Sequence, residues 1–337
     1  MIKEIKIENF RGIRKGGLKD LTEVNLLVGQ NNSGKSTILD ALILVKSPLK
    51  PIDRLGRSIE NLQKRRVSRA SFSLTSFHYK LAAENTIEID LQFQDQEEVK
   101  SRVVVQDTNL KFDFNGSQIV ISSTGKVPSG TFRVPLGEEN QKCLEELLLI
   151  DAEYIRRLDL VEERLWGEIF EKRADKGIKE ALNEAYELDI EGFTFPKPER
   201  SPLYIQMPEY SIPVDALGEG FRYALAILST AALLKKTALL IEELEVHQHP
   251  DSLEKLLTAL FKLARRNEIQ LFISTQSSEL ISKALEIAEK YDLNFKIYHL
   301  ILDKEGLLKT RELTSPDAKL LSEIGPDVRM LHKYAKV

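Results

Sequence analysis

The chain has 337 residues, 42% hydrophobic and 30% charged, which excludes a disordered or fibrous protein and allows two domains or one large α/β domain with an inserted lobe. Its 48 Lys and Arg against 52 Asp and Glu leave a net charge of −4, so it is not a uniformly basic nucleic-acid binder. Cys143 is the single cysteine, which excludes a disulfide framework and a multi-cysteine metal site.

The opening segment lacks the apolar core of a signal peptide, and no apolar run approaches the roughly 18 residues of a membrane span. A cytoplasmic location is expected. Residues 2–8 predict an edge strand with Ile5 and Ile7 on one face, and Val24–Val28 a buried strand. Ser36–Lys46 is strongly apolar and follows a Gly-rich turn, which predicts a buried helix. The stretch Lys46–Arg69 then holds Lys46, Lys50, Arg54, Arg57, Lys64, Arg65, Arg66 and Arg69 against Asp53 and Glu60, a net +6 that leaves −10 for the rest. Such a stretch is either a solvated loop and helix face or a patch that attracts the phosphate backbone of DNA.

From Phe72 to Val134 apolar and polar residues alternate in short runs separated by turns such as Asn115-Gly116, predicting an antiparallel β-layer. From Glu138 to Leu188 the chain reads as a charged helical lobe containing Trp166, with Cys143 as a core residue. Pro196, Pro198, Pro202, Pro208 and Pro213 mark an irregular return. A helix over Gly220–Lys236 follows, then a strand over Ala238–Ile241 and a helix opened by Pro250. A strand over Ile269–Ser274, a helix over Ser277–Lys290 and strands near Phe295–Leu302 and Leu307–Leu313 complete the chain. Apolar strands alternating with helices imply a mostly parallel sheet covered on both faces. The expected division is 1–135 and 213–337 as two parts of one α/β core, with 136–212 as an inserted helical lobe.

Gly29-Gln30-Asn31-Asn32-Ser33-Gly34-Lys35-Ser36 fits G-x-x-x-x-G-K-[ST], a phosphate-cradling loop between a buried strand and a helix. Its glycines let successive backbone N–H groups face inward at the positive end of the helix. Lys35 is placed to neutralise phosphate charge, and the Ser36 hydroxyl to serve Mg²⁺, which favours oxygen ligands. Ala238–Ile241 ends in Glu242 and Glu243. Two carboxylates at the carboxyl end of a buried strand point to a metal-associated acid followed by one that orients or deprotonates water. Leu217-Gly218-Glu219-Gly220-Phe221-Arg222 opens a long apolar helix. It is a second amide-rich turn, most simply explained as capping a nucleotide held by another copy. The five histidines show no persuasive zinc spacing. There is no G-x-S-x-G elbow, and no Asn-Lys-x-Asp segment for guanine.

These motifs, in this order, resemble those of the ATP-binding-cassette ATPases, closest to the soluble branch around the SMC, RecF and OLD-type proteins. The resemblance rests on Asn9-Phe10-Arg11, Gly29–Thr37, Leu217–Arg222, Leu240–Glu245 with His249-Pro250, and Phe272–Ser277. It implies a P-loop NTPase core that binds ATP and Mg²⁺ and closes as a head-to-tail homodimer around two nucleotides. Gly29, Asn31, Asn32, Ser33, Gly34, Lys35, Ser36 and Thr37 then belong to the nucleotide loop. Gly218, Glu219 and Gly220 belong to the signature that meets the partner's nucleotide. Ser36 and Glu242 are the metal residues, Glu243 is the catalytic carboxylate and Gln276 occupies the switch position. Arg11 either packs against the base or is a surface arginine.

The pattern departs from the family at three places: Glu242 replaces an aspartate, Gln276 a histidine and Gly218 a serine. Together they imply slow turnover. The glutamine that couples nucleotide to helical lobe has no clear counterpart, Arg133 and Gln141 being the nearest choices. The resemblance implies DNA processing, repair or phage defence, by hydrolysis or as a nucleotide-gated scaffold regulating a partner such as a separate nuclease. An appended nuclease domain is not expected, because the residues after Ser274 are mostly needed to finish the sheet.

Overall fold

The structure, a computed structural model, describes residues 1–65, 74–106, 109–122, 124, 126, 134–196, 202–314 and 316–317. The chain begins with β1 (Ile2–Phe10), β2 (Ile13–Leu18) and β3 (Val24–Val28), followed by α1 (Lys35–Lys46) and α2 (Ile59–Lys64). Next come β4 (Ile87–Phe93), β5 (Glu98–Gln106), β6 (Asn109–Phe114) and β7 (Ser117–Ser122). The middle of the chain holds α3 (Glu138–Glu145), β8 (Leu148–Ile150), α4 (Ala152–Arg156), α5 (Leu158–Glu171), α6 (Asp175–Tyr186), β9 (Gly192–Thr194), β10 (Tyr204–Gln206) and β11 (Ser211–Pro213). The last part runs α7 (Glu219–Leu233), β12 (Ala238–Glu242), α8 (Pro250–Asn267), β13 (Gln270–Thr275), α9 (Ser278–Lys290), β14 (Phe295–Leu302) and β15 (Leu308–Thr314).

Two six-stranded sheets form the frame. One is antiparallel in the order β2-β1-β4-β5-β6-β7. The other has the order β15-β14-β3-β13-β12-β8, parallel except for β15. Strands β3, β12 and β13 are apolar almost throughout because both faces of this sheet are covered. Leu26, Ile241 and Ile273 join the core under α5–α9. Their neighbours Leu27, Leu240 and Phe272 join the second core, which includes α1 and the antiparallel sheet. This α/β architecture agrees with the fold class read from the sequence. Among the described residues no helix is long and apolar enough to cross a membrane.

Three local readings are corrected. Strand β1 is internal, paired on both sides by β2 and β4, not an edge. Its neighbour escaped notice because Ile13–Leu18 carries Gly16-Gly17 instead of alternating side chains. A Cβ at Gly17 would lie 2.0 Å from the Ile5 carbonyl oxygen, so the close pairing needs glycine. Within the stretch read as helical, Leu148–Ile150 extends along β12 as a buried strand. A three-residue apolar run carries no periodicity to separate helix from strand. The proline-rich return contains a small antiparallel sheet, β11-β10-β9.

Candidate functional site

The phosphate loop leaves β3 at Val28 and re-enters regular structure at Lys35. Asn32 and Gly34 adopt positive φ, +63° and +97°, and Gly34 caps the helix N-terminus in a conformation that favours glycine. A Cβ at Gly29 would sit 2.6 Å from both the Leu300 carbonyl oxygen and Ser33 Oγ, so only glycine fits the turn. Lys35 is buried, and its ammonium donates to the carbonyls of Gly29 (2.7 Å) and Gln30 (2.9 Å). Burial lowers its pKa, opposed by the carboxylates of Glu243, Glu242 and Glu245. Ser33 Oγ is buried with no hydrogen-bond partner among the described residues, and Ser36 and Thr37 are half-buried in the first helical turn. An unpaired hydroxyl, an ammonium and a helix N-terminus around one glycine-lined turn form a donor set suited to a polyphosphate.

The parallel register places the other motifs at the same sheet edge. Glu242 on β12 is level with Ser274 on β13, and Thr275 is level with Val28 on β3. Glu243 is exposed in a left-handed conformation (φ +50°), with its N–H bonded to the Ser274 carbonyl at 2.9 Å. The Tyr223 hydroxyl donates to the carbonyls of Glu242 (3.1 Å) and Glu243 (3.3 Å) from beneath. Glu245 accepts from the Thr275 hydroxyl at 2.7 Å and the Gln276 N–H at 3.3 Å. Gln276 Nε2 in turn donates to Asn31 Oδ1 at 2.8 Å, joining the end of β13 to the Gly29–Ser36 loop. Lys35, Glu242, Glu243 and Gln276 therefore converge at one sheet edge.

The signature turn sits at the start of α7, with Gly218 as the exposed N-cap. It is tied to the loop after β12. Gly220 O accepts from Tyr186 OH (2.7 Å) and Gln248 Nε2 (2.8 Å), and Tyr186 OH also donates to Gln248 Oε1 (2.8 Å). Glu219 Oε2 lies 3.1 Å from His247 Nδ1.

The basic stretch is not a free positive surface over its described part. Arg65, 7% exposed, contacts Asp40 on α1, Asp151 at the end of β8 (2.7 Å) and Glu242 (2.5 Å). Arg57 pairs with Asp53 (2.9 Å) and Asp151 (3.7 Å) and donates to the Leu149 carbonyl. Arg54 binds Glu146 and Glu168, and Lys50 binds Glu146. Lys64 pairs with Glu60, while Lys46 is buried against the Leu147 carbonyl, its pKa lowered to about 8 by desolvation. Over the described residues, Lys50, Arg54, Arg57 and Arg65 are met by acids distant in sequence. Arg66 and Arg69 lie outside the described residues.

Arg11 is not a surface arginine. Its guanidinium lies 5.5 Å from the ring centres of both Phe10 and Phe77, 2.5 Å from Asp40, and donates to the Leu62 carbonyl. Gln141 lies on α3 and donates to Glu145 (2.7 Å), and Arg133 is outside the described residues. Buried Cys143 has its pKa raised to about 11 by desolvation, the mark of an inert core thiol. Asp40, Arg65 and Asp151 were missed as site neighbours. The available signal was Asp40 itself, a charge in the apolar run Ile38–Val45, which burial makes costly without a cation.

The family model described as "AAA domain, putative AbiEii toxin, Type IV TA system" matches residues 24–282. The chain belongs to this family. The matched range encloses the phosphate loop, the signature turn, the β12 acids and Gln276. Among curated proteins, it is 34% identical over 113 residues to the uncharacterized protein MJECL11 of Methanocaldococcus jannaschii, covering 34% of this chain and 99% of that one. It is 20% identical over 331 residues to a Helicobacter pylori protein named ATP/GTP phosphatase, covering 87% and 90%. Solved structures of similar fold include an SMC head bound to the C-winged helix domain of ScpA (TM-score 0.60, 15% identity, 93% of this chain and 97% of that one). Another is an SMC head with an extended coiled coil bound to the C-terminal domain of ScpA, from Pyrococcus furiosus (TM-score 0.58, 16% identity, 96% and 99%). The fold is that of the SMC head domains.

Proposed function

We propose that the protein hydrolyses ATP with Mg²⁺ at a site completed by a second copy of the chain, and that this cycle acts as a conformational switch. The observation that carries hydrolysis is the shared sheet edge, where Lys35, the exposed Glu243 and the Gln276–Asn31 hydrogen bond stand together. The name of the Helicobacter pylori relative, ATP/GTP phosphatase, supports the same reading. Lys35 holds the phosphates against the loop amides, and Ser36 and Glu242 supply oxygens to a divalent cation. That cation neutralises phosphate charge when bound. Glu243 takes up the proton of the attacking water, and Gln276 donates its amide to a terminal phosphate oxygen in exchange for Asn31.

Completion by a second copy is supported by the exposed Gly218 amide end, against which no atom of the described residues lies within 4 Å of a Cβ position. The Tyr186–Gln248–Gly220 bonds join α6 of the inserted lobe to that turn, giving nucleotide-driven closure a path to the lobe. We take 136–212 as this lobe, with β8 returning to the core sheet, and 1–135 and 213–337 as the core.

The decisive test is Glu243→Gln. It should retain ATP and elute as a dimer with ATP in size-exclusion chromatography; only monomer under those conditions overturns the composite site. The departures at Glu242, Gln276 and Gly218 favour a second reading, a nucleotide-gated scaffold with slow hydrolysis that regulates a partner protein. Phosphate release measured with and without DNA separates the two. Because the described cations of the basic stretch are paired, a protein partner of the lobe is the stronger expectation within DNA processing, repair or phage defence.

A further inference from the structure

We infer that Arg65 is a charge gate on Glu242, holding the metal-associated carboxylate until nucleotide and cation arrive. The inference rests on the reading of Glu242 as that acid. Arg65 is the C-cap of α2, and one guanidinium there joins three elements: α1 through Asp40, the end of β8 through Asp151, and the end of β12 through Glu242. Each arm of the guanidinium faces a different carboxylate, Nη1 to Asp40, Nε to Asp151 and Nη2 to Glu242. Charge-assisted bonds of this kind in a buried setting fix the position of both partners.

The three contacts are not equivalent. Asp40 has a second arginine in Arg11 and Asp151 a second in Arg57, so both keep a counter-charge when Arg65 turns. Their side chains are 0% and 3% exposed, whereas that of Glu242 is 18% exposed. Glu242 is therefore the carboxylate of the three that water reaches most readily, and hydration offsets part of the loss when it separates from Arg65. The extra methylene of glutamate over aspartate extends the carboxylate from the strand end toward Arg65. The departure from the family pattern and the ion pair thus have one explanation. A cavity of about 40 Å³ lined by Lys46, Arg57, Asn61, Arg65 and Asp151 adjoins the guanidinium, giving it room to shift while keeping Asp151. Because Arg65 closes α2, release of Glu242 also moves the end of that helix, which couples the 48–65 segment to the state of the nucleotide pocket.

The test measures Mn²⁺ affinity by electron paramagnetic resonance, using the full chain in excess over a non-hydrolysable ATP analogue. Arg65→Gln should tighten Mn²⁺ binding by about tenfold or more, since a positive charge leaves the neighbourhood of the cation. Arg65→Lys should fall between, and Arg57→Gln, which lowers stability without touching Glu242, should leave Mn²⁺ affinity unchanged. Unchanged or weaker Mn²⁺ binding in Arg65→Gln overturns the gate. If Arg65→Gln does not fold, Glu242→Asp carries the same expectation, because its shorter carboxylate withdraws from the guanidinium, and unchanged or weaker binding there overturns the gate equally. A wild-type chain that takes up no analogue with Mn²⁺ refutes the nucleotide-site reading itself. Wild-type uptake with unaltered Arg65 variants refutes only the gate.

Discussion

Two glycines of the signature turn, two residues apart, should respond in opposite ways to the same added methyl group. A Cβ at Gly220 would lie 2.4 Å from the His247 carbonyl oxygen and 3.5 Å from its carbonyl carbon. Ordinary contact begins at 3.4 Å, so the turn and the loop after β12 must separate by about 1 Å. Neither side yields easily, since Gly220 O is held by Tyr186 OH and Gln248 Nε2, and the obstructing atom is backbone. Overpacking of this size costs about 2 kcal/mol, a fall of about 4 °C in melting temperature for a domain of this size. At Gly218 the same methyl group meets nothing within 4 Å among the described residues and φ is −60°, so Gly218→Ala should stay within about 0.5 kcal/mol of the parent. Thermal melts of the isolated variants, paired with phosphate release, provide the assay. Gly220→Ala should melt lower and lose ATP turnover by about tenfold or more, because the displaced loop follows Glu243 directly. Its nucleotide binding should persist, as the phosphate loop is untouched. Equal melting temperatures for the two variants, or a lower one for Gly218→Ala, would refute the packing argument.

Other outcomes follow from the same geometry. Lys35→Ala removes the buried ammonium that bridges the Gly29 and Gln30 carbonyls, and a fluorescent ATP analogue should no longer bind. Gln276→Ala breaks the link to Asn31 and should lower phosphate release by about tenfold or more with analogue affinity preserved. Glu162 is buried on α5, accepting from the Leu203 N–H at 2.7 Å, and its pKa is raised from the ordinary 4.5 to about 7 by desolvation. The folded state thus holds this proton more tightly than the unfolded chain. The stabilisation is complete below pH 4.5 and is lost as pH rises through 7. Glu162→Gln should remove that pH dependence and gain up to about 2 kcal/mol over the parent at pH 8, read from melting temperature against pH.

The phosphate loop was legible because its chemistry is local: eight consecutive residues supply the turn, the amides and the lysine. Strands β3, β12 and β13 were legible for a related reason, since burial on both faces demands uninterrupted apolar runs. The missed strands β2, β8 and β9–β11 reflect runs too short, or too rich in glycine and proline, to show a period. The basic stretch shows a different limit. Counting charge along the chain cannot tell a solvated patch from one neutralised internally, and Arg65 meets Asp40 and Glu242 across 25 and 177 residues of sequence.

The amino-acid order alone determined that a glycine-rich loop joins a buried strand to a helix and that an apolar strand ends in two acids, because spacing along the backbone dictates both. Only the folded sheet decided that these motifs share an edge, that Gln276 touches Asn31, and that Arg65 faces Glu242. The physical reason is burial. A charge removed from water must find a partner in space, and that partner is chosen by sheet register and helix packing rather than by proximity in sequence.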